Sequence, residues 1–145
     1  MLAKVRSCAV YLLARREHSR FELTQKLGKK EFALSDIEKV LKELVEKGLQ
    51  SDNRFIESYI NMRSKRGFGP LRIKLELRER GIDKETMEGF LSASDPVWFE
   101  LAKTSRIKKF GKDLPSDLHE KARQVRYLNY KGFTGEQINM LLRVP

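Results

Sequence analysis

Cysteine is nearly absent: Cys8 stands alone among 145 residues, so no disulfide can form within the chain. That usage suits a reducing compartment and leads us to expect a cytoplasmic protein. Cys8 falls in the apolar stripe of the first expected helix, which makes it a small core hydrophobe rather than a reactive thiol. Long hydrophobic runs are missing too. No stretch approaches the roughly 18 apolar residues of a membrane span. Lys4, Arg6, Arg15 and Arg16 interrupt the N-terminal segment, so neither a signal peptide nor a membrane partner is expected. No segment sustains the period-two alternation of a half-buried strand, which argues against a sheet.

The motifs of common enzyme chemistry are also lacking. No phosphate-binding P-loop is present. Gly67-Phe68-Gly69 starts like a dinucleotide loop, but its third glycine is absent and no strand precedes it. His18 and His119 have no His or Cys at metal-ligand spacing, so both are expected to be surface or capping residues. No carboxylate pair sits in an apolar setting of the kind that tunes acid and base. The expectation is a protein with no catalytic residues, no metal and no cofactor.

What is abundant is helical periodicity and positive charge. Hydrophobic residues make up 40% of the chain, enough to build a core. Leu2, Val5, Ala9, Leu12 and Leu13 recur at helical spacing. Ser19 with Glu22, Ser35 with Glu38, and Thr134 with Gln137 have the spacing of capping boxes that open helices. Asp52 is the expected cap of a further helix, Asp83 opens a short one, another is expected from about Asp117 to Lys131, and Asp95-Pro96 places a cap before a first-turn proline. Pro70 opens another helix. Gly28, Gly48, Gly81 and Gly132 stand where helices should stop. Phe55, Ile56, Tyr59, Ile60 and Met62 mark the expected buried side of the helix after Asp52. About nine short helices are expected.

Their spacing repeats. Leu27, Leu77 and Leu128 are separated by 50 and then 51 residues, and Phe32, Ile82 and Phe133 keep the same offsets. So do Ile37, Met87 and Ile138, and again Leu41, Leu91 and Leu142. A period near 50 implies a tandem array of supersecondary units whose neighbours share apolar faces. The expected fold is all-α: three tandem three-helix repeats over residues 1–50, 51–95 and 96–145, stacked in an elongated, curved array. A single globular bundle with coincidental spacing is the plainer alternative.

Thirty Lys+Arg against 20 Asp+Glu make a formal charge of +10, a field that attracts polyanions, whether nucleic acid, acidic membranes or acidic protein surfaces. The charge is uneven. Residues 35–57 carry a net −2, residues 63–80 a net +5, and residues 103–112 another +5 with no acid. Arg63, Lys65, Arg66, Arg72 and Lys74 in the first basic segment, and Lys103, Arg106, Lys108 and Lys109 in the second, are the contact candidates. Solvated helix faces carry such residues as well, in pairs one turn apart. Phe68, between two glycines, either stacks on a base or anchors its loop in the core.

Asp52-Asn53-Arg54-Phe55, Tyr59, Arg63, Gly67-Phe68-Gly69-Pro70-Leu71-Arg72-Ile73, Glu76-Leu77 and Gly81-Ile82 form a dense pattern that resembles the RecX family. The front end agrees in Tyr11-Leu12-Leu13, Arg15, Ser19, Glu22-Leu23 and Lys26-Leu27. The tail agrees in Lys109, Gly111, Lys121, Arg126-Tyr127-Leu128 and Lys131-Gly132-Phe133. Ile56 departs from the pattern, since the family often has a small residue there, and Gly28 to Ser35 is shorter than in some relatives. The resemblance implies three tandem three-helix repeats and a monomer that binds the RecA protein filament on DNA, with at most weak direct DNA binding. It implies that the chain lowers RecA's recombinase, ATPase and coprotease activities, tempering DNA repair and the SOS response. Several of the pattern's positions have folding reasons of their own: Asp52 as cap, Phe55 and Ile73 as core, Gly69-Pro70 as a turn, and Glu76 as a partner for Arg72 or Arg80. Two other readings suit the charge and the short helices. One is a stand-alone helix-turn-helix DNA binder, the other an adaptor that takes a peptide helix.

Overall fold

The computed structural model describes residues 1–143. Those residues form nine helices and no strand: α1 (Leu2–Arg15), α2 (Arg20–Gly28), α3 (Leu34–Glu46), α4 (Asp52–Lys65), α5 (Pro70–Glu79), α6 (Lys84–Glu88), α7 (Pro96–Phe110), α8 (Leu118–Lys131) and α9 (Gly135–Leu141). The last two residues of the expected third repeat, 144 and 145, lie outside the described residues.

Local chemistry sets most of the boundaries. Ser19 and Thr134 make complete capping boxes with Glu22 and Gln137, each satisfying orphan amides of its helix and of its own cap. Asp95 accepts from the Val97 amide ahead of Pro96, and Asp117 accepts from that of Glu120 at 2.7 Å. Asp83 likewise takes the Thr86 amide. Two expected caps differ. Ser35 lies inside α3, whose cap is Ala33 without a side-chain bond, because the helix starts earlier than the Ser-x-x-Glu pattern implied. At α4 the Arg54 amide bonds the Ser51 hydroxyl, which frees Asp52 to accept from the Arg20 amide at 2.8 Å and from Gln50.

The chain divides into two compact units, one comprising Met1–Tyr59 with Leu77–Thr86, the other Ile60–Glu76 with the chain from Met87 onward. In the first, Val5, Ala9, Leu23, Leu27, Ile37, Val40, Leu41 and Leu44 make one buried cluster, with Cys8, Leu12, Leu13 and Phe32 packed against it. In the second, Ala102, Leu128, Phe133, Ile138, Leu141 and Leu142 cluster, with Phe99, Leu101, Val125 and Tyr127 alongside. Most positions with the 50-residue period are core positions: Leu27, Leu77 and Leu128 are fully buried, as are Ile37, Met87, Ile138, Leu41, Leu91, Leu142, Ile82 and Phe133 within a few per cent, while Phe32 is half-buried. Met62, expected inside, is on the solvent side. His18, expected at the surface or in a capping role, is buried. Its Nδ1 sits 3.0 Å from the Arg16 carbonyl oxygen, and its Nε2 sits 2.9 Å from Lys26 Nζ. Burial first, then the charges of Arg16 and Lys26, hold its pKa below the usual value, although the bond to the Arg16 carbonyl pulls the other way.

The glycines that follow α5 and α8 serve close approach. Gly81 has φ 84°, and a Cβ there would overlap Phe21 at the start of α2; the Ser19 hydroxyl bonds the Arg80 carbonyl at the same place. One period later, Gly132 has φ 101°, and a Cβ there would fall 2.7 Å from the backbone nitrogen of Arg72 at the start of α5. The Gly69 amide bonds the Lys131 carbonyl at 2.7 Å, and the Leu71 amide bonds that of Gly132 at 2.9 Å. The equivalent position after α2 is Glu31, which takes the same left-handed turn at φ 65° and is exposed. Gly28, the expected stop, is instead the last residue of α2.

Candidate functional site

The two basic segments meet in the second unit. The end of α4 and the turn after it bring Lys65, Arg66 and Gly67 to one wall, α7 brings Leu101, Thr104, Ser105, Lys108 and Lys109, and α8 brings Tyr127 and Lys131. Together they line a cleft of about 400 Å³. Five of the lining side chains are cations and none is a carboxylate. Spacing one turn apart or adjacent places Thr104, Lys108 and Leu101, Ser105, Lys109 along one side of α7. The side chains of Lys65, Arg66 and Lys108 pair with no described residue, and Lys109 lies 5.7 Å from the Tyr127 ring centre.

One wall is held by a compact arrangement around Phe68. The guanidinium of Arg63 lies 3.9 Å from the ring centre, that of Arg72 4.4 Å, and the Lys131 ammonium 3.9 Å. Cations at such distances are attracted by the ring quadrupole. Glu76 binds both guanidiniums, Arg63 through two bonds of 2.8 Å and Arg72 at 3.2 Å. Arg72 also donates to the Tyr130 carbonyl and stacks on the Tyr130 ring. Phe68 therefore neither fills the core nor offers a free face to a base; it organises three cations. Lys131 donates to the Arg66 carbonyl at 3.2 Å, so its ammonium is fixed at the cleft edge. Burial, then the charge of Arg72 and to a lesser degree those of Arg63 and Lys108, pull its pKa below the usual lysine value, while Tyr130 pulls the other way.

The sequence-derived candidates thus separate by role. Lys65, Arg66, Lys108 and Lys109 line the cleft. Lys74 and Lys103 lie outside its lining, Lys103 exposed and Lys74 half-buried. Arg63 and Arg72 are engaged with Glu76 and Phe68. Arg106 is corrected outright as a surface contact: it is 4% exposed, and its guanidinium donates to the Lys112 and Asp113 carbonyls and to Gln124, tying the loop after α7 to α8. Its place in a run of lysines concealed this, because its partners, the Lys112 and Asp113 carbonyls and Gln124, lie in the following loop and in α8. Lys131, Tyr127, Thr104 and Ser105 were not among the candidates. Lys131 lies in a mixed-charge helix more than 60 residues from Lys65, and no local pattern joins the two.

The described residues define an all-α protein of repeated three-helix domains whose notable surface is a basic cleft. Among them no helix is long and apolar enough to cross a membrane, and no group of three or more His, Cys, Asp or Glu is placed to hold a metal ion. Family models match in order: RecX first three-helix domain over residues 6–44, second three-helix domain over 51–91, and third three-helix domain over 99–142. A protein named Regulatory protein RecX from Pseudomonas syringae pv. tomato is 41% identical over 138 residues, 95% of this chain and 89% of its own length. Its namesake from Halorhodospira halophila is 40% identical over 134 residues, 92% and 83% of the two chains. The crystal structure of RecX from Lactobacillus salivarius superposes with a TM-score of 0.80 at 24% identity, covering 97% of this chain and 93% of that one, and so shares the fold. The chain belongs to the RecX family of regulatory proteins.

Proposed function

We propose that this protein binds the filament that RecA forms on DNA and inhibits RecA's recombinase, ATPase and coprotease activities, modulating DNA repair and the SOS response. It acts in the cytoplasm as a monomer whose affinity for bare DNA is weak. The three repeats are bounded at 1–50, 51–95 and 96–145. The observation that carries the reading is the acid-free cleft of Lys65, Arg66, Lys108, Lys109 and Lys131 in a chain of the RecX family. A filament of protein on DNA presents phosphates and acidic side chains at regular intervals, which such a surface attracts. Better binding to one state of the filament than to another is enough to shift its population.

The test is RecA's single-strand-dependent ATPase with and without this protein at matched ionic strength. Inhibition at or below one protein per RecA protomer is expected; full activity under those conditions refutes the proposal. Replacing Lys65, Arg66, Lys108 and Lys109 together by Ala is expected to abolish filament binding while the helical spectrum stays unchanged. Unaltered affinity rejects this face. Tight, sequence-dependent binding to free duplex DNA identifies a stand-alone DNA regulator instead.

A further inference from the structure

We infer that the cleft formed by α7, α8 and the turn after α4 is a binding site for a multiply charged phosphate oxyanion. This deepens the reading above by naming the chemistry that the same cleft accepts. Five cations converge on about 400 Å³ without a carboxylate among them. The neighbouring acid that would neutralise them, Glu76, is committed to Arg63 and Arg72. Like charges held that close repel each other, and a ligand bearing several negative charges in a small volume relieves the repulsion. The pKa of Lys131 is lowered chiefly by burial and by Arg72, with Arg63 and Lys108 adding to it, so a positive charge at the cleft edge is already disfavoured.

The donor set also suits phosphate. Ammonium groups are compact point charges with three donors each, and Arg66 adds a planar fork. Thr104 and Ser105 supply hydroxyls to the lining, the latter held by a long bond of 3.3 Å to the Gly67 carbonyl. A peptide of acidic residues spreads one charge per side chain at about 3.3 Å along an extended backbone, with alternate side chains facing away. A phosphate chain places its charges on successive linked groups and can present them all inward. The hollow lined by Arg20, Gln50, Asp52 and Arg54 in the first unit lacks this character, because Asp52 sits among its cations.

Two sources supply such an oxyanion: the phosphodiester backbone of a DNA strand and a free oligophosphate. A free oligophosphate in the cleft competes with docking onto a filament, so the two sources are linked. Binding returns proton affinity to Lys131, so at alkaline pH it is accompanied by proton uptake.

The experiment is calorimetric titration of the full chain at fixed ionic strength with sodium tripolyphosphate, hexathymidylate and hexaglutamate. One tripolyphosphate per chain is expected, displaced competitively by hexathymidylate; whichever binds more tightly identifies the source. The Lys65→Ala/Lys108→Ala variant is expected to bind about tenfold more weakly or worse. A control with the same charge loss in the first unit, Lys29→Ala/Lys30→Ala, stays within about twofold of the parent. No binding of tripolyphosphate, equal weakening in both variants, or tighter binding of hexaglutamate overturns the inference. The outcome is separable from the function above. A parent protein that inhibits RecA but ignores tripolyphosphate removes the oxyanion site alone. A Lys65→Ala/Lys108→Ala variant that loses tripolyphosphate yet still inhibits RecA leaves the site standing and removes the cleft as the filament contact.

Discussion

Replacing Gly132 by Ala tests how the start of α5 is held in the second unit. The residue has φ 101°, where an L side chain costs on the order of 1–2 kcal/mol. Its new Cβ would overlap the Arg72 Cβ and stand 2.7 Å from the Arg72 nitrogen, well inside van der Waals contact, so the first turn of α5 must retreat by about 1 Å. The two amide bonds across that contact, 2.7 Å from Gly69 to Lys131 and 2.9 Å from Leu71 to Gly132, would then exceed hydrogen-bonding range. Each broken bond costs about 1 kcal/mol, more where the amide is buried, as at Gly69. The total is about 3–5 kcal/mol. Gly111 is the control: its φ is 89°, but nothing lies within 4 Å of its missing Cβ, so Gly111→Ala carries only the backbone cost of about 1–2 kcal/mol. Urea denaturation of both variants with the slope unchanged gives the comparison. Equal losses would refute the claim that close approach demands glycine at position 132.

Glu31→Gly relieves the one left-handed non-glycine residue among the described residues, with no neighbour to lose, and is expected to raise stability by up to about 1 kcal/mol in the same assay; a loss contradicts the assignment of strain. Glu76→Gln leaves Arg63 and Arg72, 14% and 27% exposed, with like charges around Phe68, and is expected to cost about 2–4 kcal/mol in urea, whereas a neutral change would mean that the ring alone holds the cations. His18 is packed among Arg16, Glu22, Lys26 and Gln50, and its depressed pKa means that the unfolded chain binds its proton more readily, so stability is full above pH 6.5 and declines as pH falls below it. A flat stability profile between pH 6.5 and 4.5 would contradict this. Glu43 and Glu120, each held at a pKa of about 2 by bonds chiefly from Arg6 and Arg123, add a second loss as pH falls from 4.5 toward 2. The Arg6→Ala variant should reduce that second loss in an acid titration followed by circular dichroism.

Helix positions were legible because their causes are local. Ser19, Thr134, Asp95 and Asp117 act on amides two or three residues away, and Pro70 and Pro96 open helices by their own ring geometry. Where a second acceptor was available next door the reading slipped: Ser51 took the cap at α4 and Asp52 turned to Arg20. The period of 50 was legible for a different reason, since Leu27, Leu77 and Leu128 solve the same packing problem three times. The candidate contacts were legible only as a list. The side chains of Lys65, Arg66 and Lys108 pair with no described residue and that of Lys109 meets only the Tyr127 ring, while Arg63, Arg72 and Arg106 became structural through partners as far off as Glu76, Tyr130 and Gln124.

Composition, caps and periodicity by themselves determined that this chain is helical, threefold repeated and strongly basic, because each follows from residues within one or two turns or from a pattern that recurs along the chain. Tertiary structure alone decided which cations are surface and which are interior, why Gly69 and Gly132 must be glycines, and that Lys131 joins Lys65 and Lys108 around one cleft. Those outcomes depend on distances between helices remote in sequence, where a shift of one ångström separates a hydrogen bond from an open gap and half a turn of helix separates solvent from core.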